Sequence, residues 1–253
     1  MIDTFEYILI ELEKLFDKIE EQVPPPVRVT RGNSFGFRYK EKSLEQAVVQ
    51  KLARTFTGLQ SALTLLKKGY FQEVGVLQRV LDDFCEEIQF LSVAQIMGIR
   101  SDTHERFLNN FYMEVIDNPL DPMASVNKKR PIVSRKEIRK EIKKSIDEMK
   151  KQGKNNVSDT SDQARLISGV FNGFAHGGSP QILDMYGGYY PHYHLSGMLD
   201  TPRERESQDS LWNQFYRATV VFSMAGSLLK DENVATNGVN LSKVLLQAAG
   251  KHI

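Results

Sequence analysis

The chain predicts an all-α fold, an up-and-down helical bundle, and three observations carry that expectation. Apolar residues recur at i, i+3, i+4 and i+7 through most of the 253 residues. Almost no segment sustains the two-residue alternation of β-branched side chains that strands need. Capping signals, Ser43 with Gln46 and Ser134 with Glu137, stand just ahead of apolar-periodic runs. With 41% hydrophobic residues the chain can bury a sizeable core. It divides into one domain, 1–253, with a core of about 43–115 and 158–250. Residues 1–40 form an N-terminal helix and extended arm, and 120–157 a basic helical excursion.

The first helix spans 3–22, with Phe5, Ile8, Leu9, Leu12, Leu15, Phe16 and Ile19 on one face. Pro24, Pro25 and Pro26 end it. The segment 27–40, "VRVTRGNSFGFRYK", alternates loosely around Gly-Asn and Phe-Gly-Phe elements and reads as an extended or hairpin-like arm, fit to join a site or an interface. A helix opens at Ser43, runs through Leu52, Phe56, Leu59, Leu63 and Leu66 to Lys68, and is stopped by Gly69. The next, from Tyr70 to about Met97, keeps Val74, Leu77, Leu81, Phe84, Ile88 and Leu91 on its inner side and pairs with its predecessor as an antiparallel hairpin. A short helix capped by Ser101 or Asp102 reaches about Val115, and "DNPLDP" at 117–122 is a turn-rich break.

The helix opened by Ser134 is highly charged, and its stripe of Ile138, Ile142, Ile146 and Met149 is too narrow to anchor it firmly. After the polar linker "KKQGKNNVSDTSD", Ala164, Ile167, Val170, Phe171 and Phe174 build a helix that ends at His176, with Gly177 and Gly178 suited to its C-cap. A short helical turn in "SPQILDMY" precedes "GGYYPHYHLSG", an irregular tyrosine-rich loop expected to lay its aromatics over the bundle. A long helix from about Arg203 to Leu229 carries Trp212, Phe215, Tyr216, Thr219, Phe222 and Met224 toward the core, and residues 240–250 close the chain as a short helix.

The charge is unevenly spread. Lys128 to Lys154 holds twelve Lys or Arg against four Asp or Glu, a local +8 that leaves −7 for the rest of a chain whose net charge is +1. Such a segment is either a solvated helix or a surface for an anionic partner such as RNA, with Lys140, Lys143 and Lys144 as its contact residues. The single cysteine, Cys85, lies in an apolar-periodic segment, so a reducing compartment fits and the cytoplasm is the expected location. Asp3, Glu6, Glu11 and Glu13 exclude the basic region that starts a signal peptide, and the longest apolar run, 218–229, is short of the roughly 20 residues a bilayer demands. No membrane association is expected.

"FNGFAHGG", 171–178, sets a histidine at the end of a core helix. The unpaired carbonyls there favour an imidazolium, either as a brace on the helix end or as an acid–base group. Asn172 lies one turn before His176, giving Asn-x3-His. This pattern resembles the end of the motif helix of HEPN-domain proteins, Arg followed after four to six residues by His and often written Arg-Asn-x3-His. The resemblance implies an HEPN-like bundle and, in active members, metal-independent RNA cleavage with histidine in acid–base chemistry and arginine on the phosphate. Here Phe171 stands where the arginine belongs, which weighs against ribonuclease activity. Arg165, eleven residues upstream, is roughly 16 Å along the axis, too far to share one phosphate with His176 in the same chain. The segments "SLEQAVVQKLARTFTGLQSALTLL", "EVGVLQRVLDDFCEEIQFL", "AHGGSPQILDMYGG" and "HYHLSGMLDTPR" are in turn similar to an uncharacterised bacterial family, a likeness that implies a fold and no activity.

The middle of the 70–97 helix carries Arg79, Asp82, Asp83, Glu86 and Glu87, of which Arg79, Asp83 and Glu86 or Glu87 share a face. Buried acids need partners. Arg79 itself, Arg54, Arg165 or a protonated His176 are the candidates, and an internal polar network of Arg79, Asp83, Glu86, Glu87 and Arg165 is the expected arrangement. No cofactor is implied, and no metal: the paired Glu-x-x-His of bundle di-iron proteins is missing, and His192 and His194 make at most half of a zinc site. Two functions follow. One is an HEPN-like protein binding RNA or a nucleotide at His176 and Asn172, in stress or phage defence. The other is a non-enzymatic scaffold acting as a helical homo-oligomer.

Overall fold

A computed structural model describes residues 1–31, 34–116, 121–126, 128–153 and 161–250. The protein is all-α. Nine helices and two small two-stranded ribbons are present among the described residues. Residues 117–120 of the expected break at 117–122, residues 154–160 of the polar linker and the Gly-Asn pair at 32–33 lie outside them, as do the side chains of Arg31, Ser34, Pro122 and residues 161–164.

Helix α1 (Ile2–Glu20) buries Phe5, Ile8, Leu9, Leu12, Leu15 and Ile19, the face its spacing dictates. Strands β1 (Val27–Arg31) and β2 (Ser34–Arg38) form an antiparallel ribbon, the hairpin form of the arm. Helix α2 (Leu44–Lys67) starts at a reciprocal capping box, the Ser43 hydroxyl accepting from the Gln46 amide at 3.1 Å while the Gln46 side chain accepts from the Ser43 amide at 3.1 Å. Gly69 ends it with φ +77, and a Cβ there would sit 2.7 Å from the Met198 backbone nitrogen, so the position is closed to other residues twice over. Helix α3 (Phe71–Ile96) returns along α2, and Gly58 faces Leu81 closely where the two cross.

Helix α8 (Pro202–Leu229) completes the centre of the bundle against α1, α2 and α3. The rings of Phe5 and Phe215 stack at 4.4 Å, and Trp212 donates to the Leu245 carbonyl at 3.0 Å. Trp212, Phe215, Thr219 and Phe222 are buried, and Tyr216 and Met224 half-buried. Helix α9 (Glu232–Ala248) begins eight residues before the expected 240. The stretch "ENVATNGV" holds β-branched residues, asparagines and a glycine, poor helix formers. Two tertiary features override that: Asp231 caps the helix by accepting from Val234 at 3.0 Å, and Gly238 lets its backbone lie against Ser223 of α8.

Three further helices border α3 and α2. Helix α4 (Asp102–Phe111) leads by a short 3₁₀ turn (Pro122–Ser125) to α5 (Arg135–Lys151). Despite its narrow stripe, α5 lies firmly on α3, burying Ile138, Glu141, Ser145 and Ile146. Helix α6 (Ser161–Ala175) also packs on α3, and there the expected core face is only partly used. Phe171 is buried and Phe174 half-buried, but Leu166 is 71% exposed and Val170 49%, with Ile167 also in water. Helix α6 packs on α3 along one row of side chains and meets only the short α7 beside its C-terminal end, and among the described residues no further helix covers the next row.

Helix α7 (Ser179–Leu183) precedes a two-residue ribbon, β3 (Tyr186–Gly187) with β4 (His192–Tyr193). The expected covering of the bundle by this loop is corrected: Tyr189 and Tyr190 are 92% and 80% exposed, and Met198 is the side chain that anchors the loop. Cys85 is buried in the core, its thiol pushed up to about 11 by burial. No helix among the described residues is long and apolar enough to cross a membrane.

Candidate functional site

The end of α6 is closed by its own backbone. Gly177 has φ +65, the Gly178 amide donates to the Gly173 carbonyl at 2.8 Å, and the Gly177 amide to that of Phe174 at 3.4 Å, a Schellman motif with His176 as the C-cap. The last carbonyls are therefore satisfied without the imidazole. The His176 side chain is exposed, and it makes no hydrogen bond or ion pair with the described residues. It is not the packed brace that a histidine in this place suggests.

Asn172, one turn earlier, is held by a neighbour that its sequence position does not reveal. Arg79 of α3 donates from Nε to Asn172 Oδ1 at 2.5 Å and pairs through Nη1 with Asp83, four residues along its own helix. An arginine thus stands beside Asn-x3-His although Phe171 fills the arginine's place in α6.

Asp83 begins a polar row along α3. Arg135, at the start of α5, reaches Asp83 at 3.2 Å, pairs with Glu87, and lies 3.7 Å from Glu86. Arg139, one turn later, donates to Glu86 at 2.6 Å. Lys51 of α2 pairs with Glu87 from the other side, and Arg217 of α8 with Asp82. Burial raises the Glu86 carboxyl above the ordinary carboxylate range, with Arg139 and Arg135 pulling the other way. Burial likewise lowers the Lys51 ammonium, against the attraction of Glu87. Asp82 Oδ2, Glu86 Oε2 and Arg139 Nη2 are buried without a hydrogen-bond partner, so the network is tight but not complete.

The expected supporting group is therefore joined in part. Arg79, Asp83, Glu86 and Glu87 fall in one row. Arg165 lies apart on α6, exposed, beside Leu166, Gly169, Val170 and Gln181 along a shallow 510 Å³ groove. Arg54 reaches Thr57 at 3.3 Å and the Phe84 ring, not the acids. The partners that the acids do take, Lys51, Arg135, Arg139 and Arg217, were hidden among lysines and arginines on other helices. Arg135 and Arg139 had a signal: they flank Ile138, so the inner stripe of α5 continues as guanidinium groups.

With those arginines turned inward, the exposed side of α5 carries mostly lysines, with Asp147 among them. Lys136, Lys140, Lys143 and Lys144 are all exposed, Lys144 pairing with Glu141 at 2.6 Å. His192 and His194 sit with ring centroids 4.4 Å apart. No group of three or more His, Cys, Asp or Glu that could hold a metal ion occurs among the described residues.

A buried histidine, unmarked in the sequence, lies at the α4–α5 contact. His104 stacks on Phe90 at 4.0 Å, and its Nδ1 accepts from the Ser101 amide at 3.1 Å in place of the usual glutamate of a capping box. Ser101 Oγ also bonds Glu141 at 3.2 Å. Burial lowers the imidazole pKa, the Glu141 charge opposing it. This cluster ties α4 to α5. The chain matches no family model, no curated protein and no solved structure.

Proposed function

We propose that the protein is an HEPN-like RNA-binding protein that grips the phosphate backbone without cutting it, working in the cytoplasm in stress or phage defence. The observation that carries this reading is the division of labour on α5. Arg135 and Arg139 neutralise the acids of α3, while Lys136, Lys140, Lys143 and Lys144 face water on the other side. A lysine row on a docked helix presents positive charge at a defined spacing, which suits a polyanion. Asn172, held by Arg79, and the exposed His176 extend the polar surface on the neighbouring α6.

Binding is favoured over cleavage by the surroundings of His176. A general base needs a partner that orients it and a second group that stabilises the developing charge. The His176 imidazole has no orienting bond among the described residues, and Arg79 is already engaged by Asp83 and Asn172. The test is RNA affinity against salt concentration for wild type and a Lys140→Ala, Lys143→Ala variant. Each lost phosphate contact should reduce the slope of log K on log salt by roughly 0.7 to 0.9. An unchanged slope refutes the reading.

The outward row of α6, Leu166 and Val170 with Ile182 and Leu183 of α7, favours a second reading, a scaffold that assembles as a homo-oligomer. Sedimentation equilibrium of wild type and Leu166→Ser decides it: a wild-type dimer that the substitution splits supports it, and a wild-type monomer removes it.

A further inference from the structure

The β1–β2 ribbon takes part in none of the contacts described so far. In its register Arg28 pairs with Phe37 and Thr30 with Phe35, and cross-strand partners point to the same face. One face therefore carries Arg28, Thr30, Phe35 and Phe37. That face is in water: Phe35 is 57% exposed and Phe37 56%. The two rings meet edge to face at 6.1 Å, and the Arg28 guanidinium lies over the Phe35 ring at 4.1 Å. Arg38 secures the base of the ribbon to the bundle through Glu114, and a 580 Å³ cavity opens there beside Phe37, Tyr39, Lys42 and Tyr112.

The contacts these rings make within the chain leave more than half of each in water, an exposed apolar patch. Their setting is basic. Residues 27–42 hold Arg28, Arg31, Arg38, Lys40 and Lys42 against Glu41 alone, a local +4 in a chain of net charge +1. Two exposed rings with outward area for a base to stack on, a guanidinium over one of them, and excess positive charge are together the components of a platform for unpaired nucleic acid. A duplex would satisfy the charge and leave the rings idle, because its base faces are already stacked.

We propose that this face of the ribbon binds single-stranded nucleic acid, with bases stacking on Phe35 and Phe37 and phosphates drawn to Arg28, Lys40 and Lys42. It goes beyond the phosphate contacts proposed for α5, shares no residue with them, and adds a requirement for free bases.

The experiment is a set of anisotropy titrations with a short oligouridylate, the matching oligothymidylate, an abasic strand with the same number of phosphates, and a duplex. The proteins are wild type, Phe35→Ala/Phe37→Ala, Phe35→Trp and Lys140→Ala/Lys143→Ala, with melts and sedimentation for each. Wild type is expected to bind the base-bearing single strands more tightly than the abasic strand or the duplex. The double alanine variant should lose about tenfold in affinity per ring on those strands alone. Phe35→Trp should retain affinity, and its emission should be quenched on binding. Because both rings are more than half exposed, the melting temperatures should fall only slightly. Base-bearing strands bound equally by wild type and the double alanine variant overturn the proposal, as does a variant whose only change is weaker self-association. A base-dependent loss in the ribbon variant with an unaltered salt slope in the lysine variant retains the ribbon site and removes the α5 reading. The reverse pattern removes the ribbon site alone, and absence of binding by wild type removes both.

Discussion

Replacing Glu87 by alanine is expected to be among the most damaging single changes outside the apolar core. Glu87 lies between the Lys51 ammonium and Arg135, and the side chains of Lys51 and Glu87 are only 7% and 11% exposed. Removing one member of a buried pair costs about 3–5 kcal/mol, because the remaining charge keeps its desolvation penalty and loses its attraction. Two features moderate this. Three rings surround Lys51, Phe111 at 4.5 Å, Phe107 at 5.3 Å and Phe84 at 5.7 Å, and ring faces attract a desolvated ammonium by about 0.5–2 kcal/mol. Burial also already lowers the Lys51 pKa, so the ammonium can escape part of the penalty by losing its proton. Arg135 keeps Asp83 at 3.2 Å.

The expected cost is about 2–4 kcal/mol, a large share of a typical folding free energy. Urea unfolding followed by circular dichroism would read it as a shift in midpoint at constant slope. With Glu87 gone, the unfolded chain holds the Lys51 proton to higher pH than the folded one does. Wild-type stability should already climb with pH below 10.5, because burial lowers the Lys51 pKa even with Glu87 present, and variant stability should start to climb at lower pH and rise further. The double variant Lys51→Met/Glu87→Leu should recover much of the loss, since similar-sized apolar groups carry no desolvation cost. A cost for Glu87→Ala below about 1 kcal/mol, or a double variant as unstable as the two single losses together, would refute the reasoning.

Three further expectations follow from the packing. His176→Ala should leave stability within about 0.5 kcal/mol of wild type in the same urea assay, because the α6 end is closed by backbone bonds and the imidazole is exposed. Gly238→Ala should cost about 1–3 kcal/mol, since its Cβ would meet the Ser223 backbone nitrogen at 2.7 Å and force α8 and α9 apart; thermal melting checks it. Below pH 6.5 the unfolded chain takes up a proton at His104 before the folded chain does, because burial holds the folded pKa down. The stability from neutral His104 is present above 6.5 and lost as pH falls through the folded value, and melts of wild type and His104→Gln over that range should diverge from parallel lines.

Periodicity made α1, α2, α3 and α8 legible, since each buries a face against several neighbours and the interior demands apolar residues at every turn. The capping boxes at Ser43 and Ser134 and the glycine pair after His176 were equally legible, being local chemistry within a few residues. Less legible were the outer row of α6, where Ile167 and Val170 have helical spacing but no described neighbour covers them, and the first half of α9, whose weak propensity is overruled by contact with α8. It also took the tyrosines of 186–193 for a cover, although Tyr189 and Tyr190 point outward.

The amino-acid sequence by itself determined the helical class, the main boundaries, the place of His176 at a helix end and the gathering of acids on α3, because these rest on interactions within a few residues of each other. Only the tertiary structure decided which cations meet those acids, that Arg79 reaches Asn172 across 93 residues of chain, and that the arm is a ribbon with its rings in water. The physical reason is that a charge or a ring has no partner encoded beside it. Its energy depends on what the fold brings within a few ångströms and on how much water is removed when it arrives.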